Sequence, residues 1–122
     1  MKRVKFDLAM KLRELGFDEN TGTAQYEIKT KKFGHSSLFM GGEDVCAPYI
    51  EHVRDWLERK YGMYVEVTKI DFQKKFYPKV HMDGKVINFS ATLTSKSHNK
   101  ALEDGIERVC NEIKEQKLEP IN

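Results

Sequence analysis

The chain has 122 residues, 39% of them hydrophobic and 33% charged, a composition that suits one soluble and rather polar domain over residues 1–122. Its apolar runs fall far short of the roughly 20 residues a membrane span needs. The basic opening Met1-Lys2-Arg3-Val4-Lys5 leads into no apolar signal-peptide core, so a cytoplasmic location is expected. With 21 Lys and Arg against 19 Asp and Glu, the net charge of +2 calls for no polyanionic partner by itself.

The first helix is predicted to start at Asp7, a good N-cap, and to bury Leu8, Leu12 and Leu15. Gly16 stops it in a Schellman arrangement that brings Phe17 to Leu12. After the turn-rich Asp18–Gly22, the alternation of Ala24, Tyr26 and Ile28 with Gln25, Glu27 and Lys29 reads as a strand. In residues 31–44, Phe33-Gly34-His35 and Gly41-Gly42 are turn-like, and two readings stand side by side: Ser37–Met40 as a short strand pairing with 24–30, or the whole of 31–44 as a partly mobile loop.

A second helix follows. Pro48 suits its first position, where a missing N–H is harmless. Tyr49 or Ile50, Val53, Trp56, Leu57 and Tyr61 make one apolar stripe, and Gly62 ends it. Tyr64–Ile70 alternates as a strand. Asp83-Gly84 then marks a two-residue hairpin turn, whose arithmetic sets Met82 against Lys85, Val80 against Ile87, Pro78 against Phe89 and Phe76 against Ala91. The opposite face pairs His81 with Val86, Lys79 with Asn88 and Tyr77 with Ser90. Pro78 places its strand at a sheet edge or at a bulge. The last helix is capped by Ser95 or Ser97 and carries Leu102, Ile106, Val109 and Ile113 on its inner face. Gly105 on that stripe permits close approach to the sheet. Glu119-Pro120 ends the helix, and residues 118–122 are expected to fray. The order α-β-(β)-α-β-β-β-α defines an α+β fold, a small antiparallel sheet with three helices.

Chemistry is sparse. His35, His52, His81 and His98 are scattered without ligand spacing, and His81 with Asp83 is the nearest approach to a shared site. Cys46 and Cys110 share no motif and read as reduced thiols. Pairing of Cys46 with His52 or His98 finds no support in the spacing. A nucleophile elbow and a phosphate-binding glycine loop are both missing. Glu43-Asp44 and Glu103-Asp104 read as solvated charge or as first-turn compensation of a helix dipole. No catalytic residue, metal or cofactor is therefore assigned, and the chain reads as a non-enzyme. Two segments do mix cations with rings: Lys29, Lys31, Lys32 and Phe33, and Lys74, Lys75, Phe76, Tyr77 and Lys79. Lysines neutralise phosphates while exposed rings stack on bases, which makes these segments the candidate nucleic-acid contacts. The competing reading buries Phe33 and Phe76 in the core and leaves the lysines guarding strand edges. Tyr26, Tyr49, Tyr61, Tyr64, Tyr77 and Trp56 also suit a protein interface.

The run Ala47-Pro48, Asp55-Trp56-Leu57, Lys60-Tyr61-Gly62 and Tyr64-Val65-Glu66-Val67, with the opening Leu8-Ala9, Leu12, Gly16-Phe17-Asp18 and the ending Lys100-Ala101-Leu102-Glu103-Asp104-Gly105-Ile106, resembles a group of short proteins of unknown function. Most are encoded in bacterial prophages and mobile elements. They share an Ala-Pro-started "WL" helix, a β-rich middle and an Ala-Leu-Glu-x-Gly-like final helix. The loop 30–44 departs from that pattern. The resemblance implies a phage or mobile-element accessory protein of the bacterial cytoplasm and carries over no activity and no functional residue. The expectation is a protein-interaction or self-assembling module without membrane contact; nucleic-acid binding through 29–33 and 74–79 is the alternative. One structural expectation is directly testable. Gly84→Val should lower the melting temperature markedly in a thermal scan, because a β-branched residue disfavours the positive φ of the hairpin turn.

Overall fold

In the computed structural model, which describes residues 2–19, 24–35, 43–70, 74–82, 84–89 and 94–121 (backbone alone at 35 and 87–89), the chain divides into two compact units, 1–49 and 50–122. In the first, Leu8, Ala9 and Leu12 form the buried stripe of α1 (Phe6–Glu14). The helix begins before Asp7. Lys5 is the flanking residue and gives no side-chain cap, while Asp7 lies in the first turn, where a carboxylate suits the helix dipole. The predicted Schellman stop is present: Gly16 has φ +82°, its N–H donates to the Arg13 carbonyl at 3.0 Å, and the Phe17 N–H donates to the Leu12 carbonyl at 3.0 Å.

Strands β1 (Ala24–Glu27), β2 (Phe33–His35) and β3 (Asp44–Cys46) form an antiparallel sheet in the order β2-β1-β3. The strand predicted to run to Lys29 ends at Glu27. The Lys31 N–H donates to the Glu27 carbonyl at 2.7 Å and the Glu27 N–H to the Lys32 carbonyl at 2.9 Å, so Ile28–Thr30 belong to the turn. Lys31 closes that turn at φ 61°. Phe33-Gly34-His35, expected as a turn, is the strand that pairs with β1 (Tyr26 opposite Phe33), whereas Ser37–Met40 lie outside the described residues. A glycine weakens a strand signal, which explains the error. Val45 faces inward on β3, against which α1 packs.

In the second unit, α2 (Ile50–Tyr61) buries all of Ile50, Val53, Trp56, Leu57 and Tyr61, with the Trp56 indole 2% exposed and edge-on to Tyr61 at 5.9 Å. The helix starts two residues after Pro48, whose carbonyl accepts the Val4 N–H at 2.9 Å within the first unit. Strands β4 (Met63–Ile70), β5 (Lys75–Met82) and β6 (Lys85–Phe89) form a second antiparallel sheet in the order β4-β5-β6. The α+β class stands, with two three-stranded sheets in place of one.

The hairpin register holds for Met82–Lys85 and His81–Val86. A bulge then makes Ile87 an extra residue, so Val80 faces Asn88 and Lys79 faces Phe89. Asp83 lies outside the described residues, and Gly84 has the expected positive φ, +78°. The strand carrying Pro78 is central, not at the edge. Among the described residues the β5–β6 pairs end at Lys79, one residue short of Pro78, so the absent N–H interrupts none of those, and Val67 of β4 lies opposite Pro78. Ser90 and Ala91, the partners expected for Tyr77 and Phe76, lie outside the described residues. Phe76 bonds Ser95 in both directions, at 2.7 and 2.8 Å.

Helix α3 (His98–Gln116) is capped by Ser97, whose hydroxyl accepts the Lys100 N–H at 3.2 Å. Leu102, Ile106, Val109 and Ile113 face inward, and the helix lies on β4 and β5. Gly105 makes this approach possible: a Cβ there would fall 2.5 Å from Val65 Cγ1 and 2.8 Å from Pro78 Cβ. Glu103, read as solvated charge or as first-turn compensation of the dipole, is neither: it lies beyond the first turn and is 2% exposed, because it stands three residues before Ile106 and seven before Cys110 on the same buried stripe. The helix stops at Gln116 rather than at Glu119-Pro120, with Lys117 left-handed at φ 51°. The tail expected to fray is tied, with the Ile121 N–H donating to the Lys60 carbonyl at 2.7 Å.

Two outcomes follow. Gly105→Ala should cost about 1–3 kcal/mol in urea unfolding, because neither Val65 nor the Pro78 ring can yield without moving a strand. Burial raises the Tyr61 hydroxyl above its ordinary pKa of 10.0, and the nearby Cys110 and Glu119 push it further in the same direction. Above pH 10 the unfolded chain releases that proton and the folded one retains it, so stability present below this pH is lost as pH rises. Urea unfolding of the wild type should weaken through that range, and Tyr61→Phe should flatten the decline.

Candidate nucleic-acid interface

The first of the two segments singled out by composition meets residues that are distant in sequence. Residues 2–5 are extended and pinned at Val4, which is fully buried. Its N–H bonds Pro48, and its carbonyl accepts the Tyr26 hydroxyl at 2.6 Å. Arg3, which bridges Tyr49 through its backbone, lays its guanidinium 4.0 Å from the Tyr49 ring centre and donates from Nη1 to the Ala47 carbonyl at 2.7 Å. The same guanidinium lies 5.9 Å from the Phe33 ring. Tyr26 stands edge-on to Phe33 at 5.6 Å and to Phe6 at 5.8 Å, and Lys31 Nζ lies 5.5 Å from Phe6.

Rings and cations thus form one chain of contacts in space, Tyr49, Arg3, Phe33, Tyr26, Phe6 and Lys31, with a run of three rings between the two cations. Phe33 is 50% exposed on an edge strand, so the reading that buries it in the core is wrong. Lys29, Lys31 and Lys32 are all exposed on the adjoining turn, where the Thr30 hydroxyl bonds the Glu27 carboxylate at 2.7 Å. Edge-on ring contacts and cation–ring contacts each contribute about 0.5–1.5 kcal/mol, enough to hold Phe33 in one orientation while half of it remains exposed.

The second segment belongs to the other unit. Lys74 is exposed in a left-handed turn (φ 51°). Lys75, Tyr77 and Lys79 alternate on the face of β5 opposite Pro78 and Val80, with Lys79 Nζ 5.7 Å from the Tyr77 ring. Here a carboxylate intervenes: Glu66 lies opposite Lys79 and its Oε2 is 3.7 Å from His81 Nε2. Phe76 is half-buried on the other face, edge-on to His98 at 5.7 Å. Both segments thus have a carboxylate beside their lysines, Glu27 in the first and Glu66 in the second, but the first joins more rings to its cations.

Cys46 lies on β3 and Cys110 on α3, and neither is in a disulfide. Among the described residues no three His, Cys, Asp or Glu side chains gather as a metal site, and no helix is long and apolar enough to cross a membrane. Asp83, the neighbour considered for His81, lies outside the described residues. Arg3 and Phe6 were not legible as site residues, although the basic Lys2-Arg3-x-Lys5 was a usable signal, and Tyr26 and Tyr49 were read for a protein interface rather than for nucleic acid. No protein-family model, curated protein or solved structure matches the chain.

Proposed function

We propose that this chain is a non-enzymatic binding protein that holds single-stranded nucleic acid on the ring-and-cation surface of its first unit. The half-exposed Phe33, braced by Tyr26, with Arg3 beside its ring and the exposed Lys31 and Lys32 on the adjoining turn, carries this reading. A base has a π-face to lay on such a ring, and the flanking cations suit the phosphates on either side. The resemblance to prophage and mobile-element proteins is compatible with an accessory role of this kind in the bacterial cytoplasm.

A protein partner or a second copy of the chain is the other reading. Its support lies in the second unit, where Tyr64, His81 and Val86 form a cross-strand row on the face opposite Pro78 and Val80, with Tyr64 37% and Val86 49% exposed. A light-scattering mass that doubles with concentration in the wild type but not in Val86→Lys would favour it.

Fluorescence anisotropy with labelled single-stranded and duplex oligonucleotides tests the first reading. The single strand should bind more tightly than the duplex, and binding should weaken steeply with salt. Phe33→Ala should lose about 1–3 kcal/mol of that affinity while leaving the salt dependence unchanged. Absence of binding even at low salt would remove the nucleic-acid reading in favour of the second.

A further inference from the structure

Resting on the nucleic-acid reading, we infer that Arg3 is the phosphate anchor of this surface and that Arg3 and Phe33 together hold one nucleotide, the phosphodiester on the guanidinium and the base on the ring. Arg3 is a half-buried cation, and among the described residues no carboxylate pairs with it. Its guanidinium meets the Ala47 carbonyl at 2.7 Å and the rings of Tyr49 and Phe33 at 4.0 and 5.9 Å. A guanidinium carries five N–H donors, and one of them serves Ala47, so donors remain for an anion. Burial of a charge without a counter-ion is unfavourable, and a bound phosphodiester would relieve it with charge-assisted hydrogen bonds.

The geometry also favours Arg3 over the lysines. Lys29, Lys31 and Lys32 are exposed and must be immobilised on binding. Arg3 is already held, by Ala47 and Tyr49 at the side chain and by the buried Val4 in the backbone next to it. A preorganised planar fork suits a phosphate, and the neighbouring Phe33 supplies the only ring of the cluster that is as much as half exposed among the described residues. The occupant is a phosphodiester in a strand; a free nucleotide presents the same phosphate and ring and is the source to be told apart.

The test compares wild type, Arg3→Gln, Arg3→Lys and Phe33→Ala by anisotropy of a labelled single-stranded oligonucleotide across a salt series. Arg3→Gln keeps a flat polar group but removes the charge. It should weaken binding several-fold and make the slope of log K against log salt shallower by about 0.7, the share of one phosphate on a single strand. Arg3→Lys should keep the slope, and Phe33→Ala should lose affinity with the slope intact. In the unmutated protein, the Arg3 Nε–H resonance should shift when oligonucleotide is added, a readout that needs no variant to fold. Displacement of the oligonucleotide by excess mononucleotide at equal phosphate would reassign the site to free nucleotides. If the wild type binds but Arg3→Gln matches it in affinity and slope, or the resonance stays still, the assignment of Arg3 is wrong while the nucleic-acid reading survives. If the wild type shows no salt-dependent binding, both fall together.

Discussion

The second unit depends on the absence of one side chain. At Gly105 the α3 backbone approaches β4 and β5 so closely that a methyl group would overlap Val65 and Pro78. That approach sets the depth at which Leu102, Ile106 and Val109 enter the core, and each of them is fully buried. It also makes sense of the proline in the central strand. Pro78 is the surface on which the helix rests, and a rigid ring resists deformation better than a flexible side chain. The α2 stripe, with Trp56 at its middle, completes a core that needs no contribution from the exposed side of the sheet.

Tyr26 plays the corresponding part in the first unit, by different means. Its hydroxyl fixes the carbonyl of Val4, while its ring meets Phe6 on one side and Phe33 on the other. One side chain therefore ties the extended opening, the first helix and an edge strand together. The exposed Phe33 is held by contacts to rings rather than by burial, which is why a large apolar group can stand half in water and keep a defined orientation.

Periodic features were legible in the sequence because each is a local repetition. The stripes of α2 and α3, the Schellman stop at Gly16 and the close packing of Gly105 all follow from spacing along one element. The hairpin was legible as far as its turn controls it, through Met82–Lys85 and His81–Val86, but nothing local in Ile87-Asn88 announces an extra residue. The bulge therefore shifted the pairs of Val80 and Lys79 that follow it. Strand β2 was missed because three residues centred on a glycine resemble a turn until β1 lies beside them. The candidate site was half legible. Lys31, Lys32 and Phe33 declare themselves by adjacency, whereas Arg3 and the Ala47 carbonyl it bonds are 44 positions apart and come together only through the fold.

The left-handed lysines extend this picture. Lys31, Lys74 and Lys117 all hold φ between 51° and 61°, a conformation in which a Cβ is disfavoured by about 1–2 kcal/mol. A glycine or asparagine would relax each of these turns, so the chain keeps positive charge at three bends in spite of local backbone strain. For an engineer this marks three independent positions where thermal robustness can be raised without touching the core. It also ranks them. Lys117 can be exchanged freely, Lys74 belongs to the second lysine-rich segment, and relaxing Lys31 removes a cation from beside Phe6, so any gain in stability there alters the exposed ring-and-cation surface of the first unit.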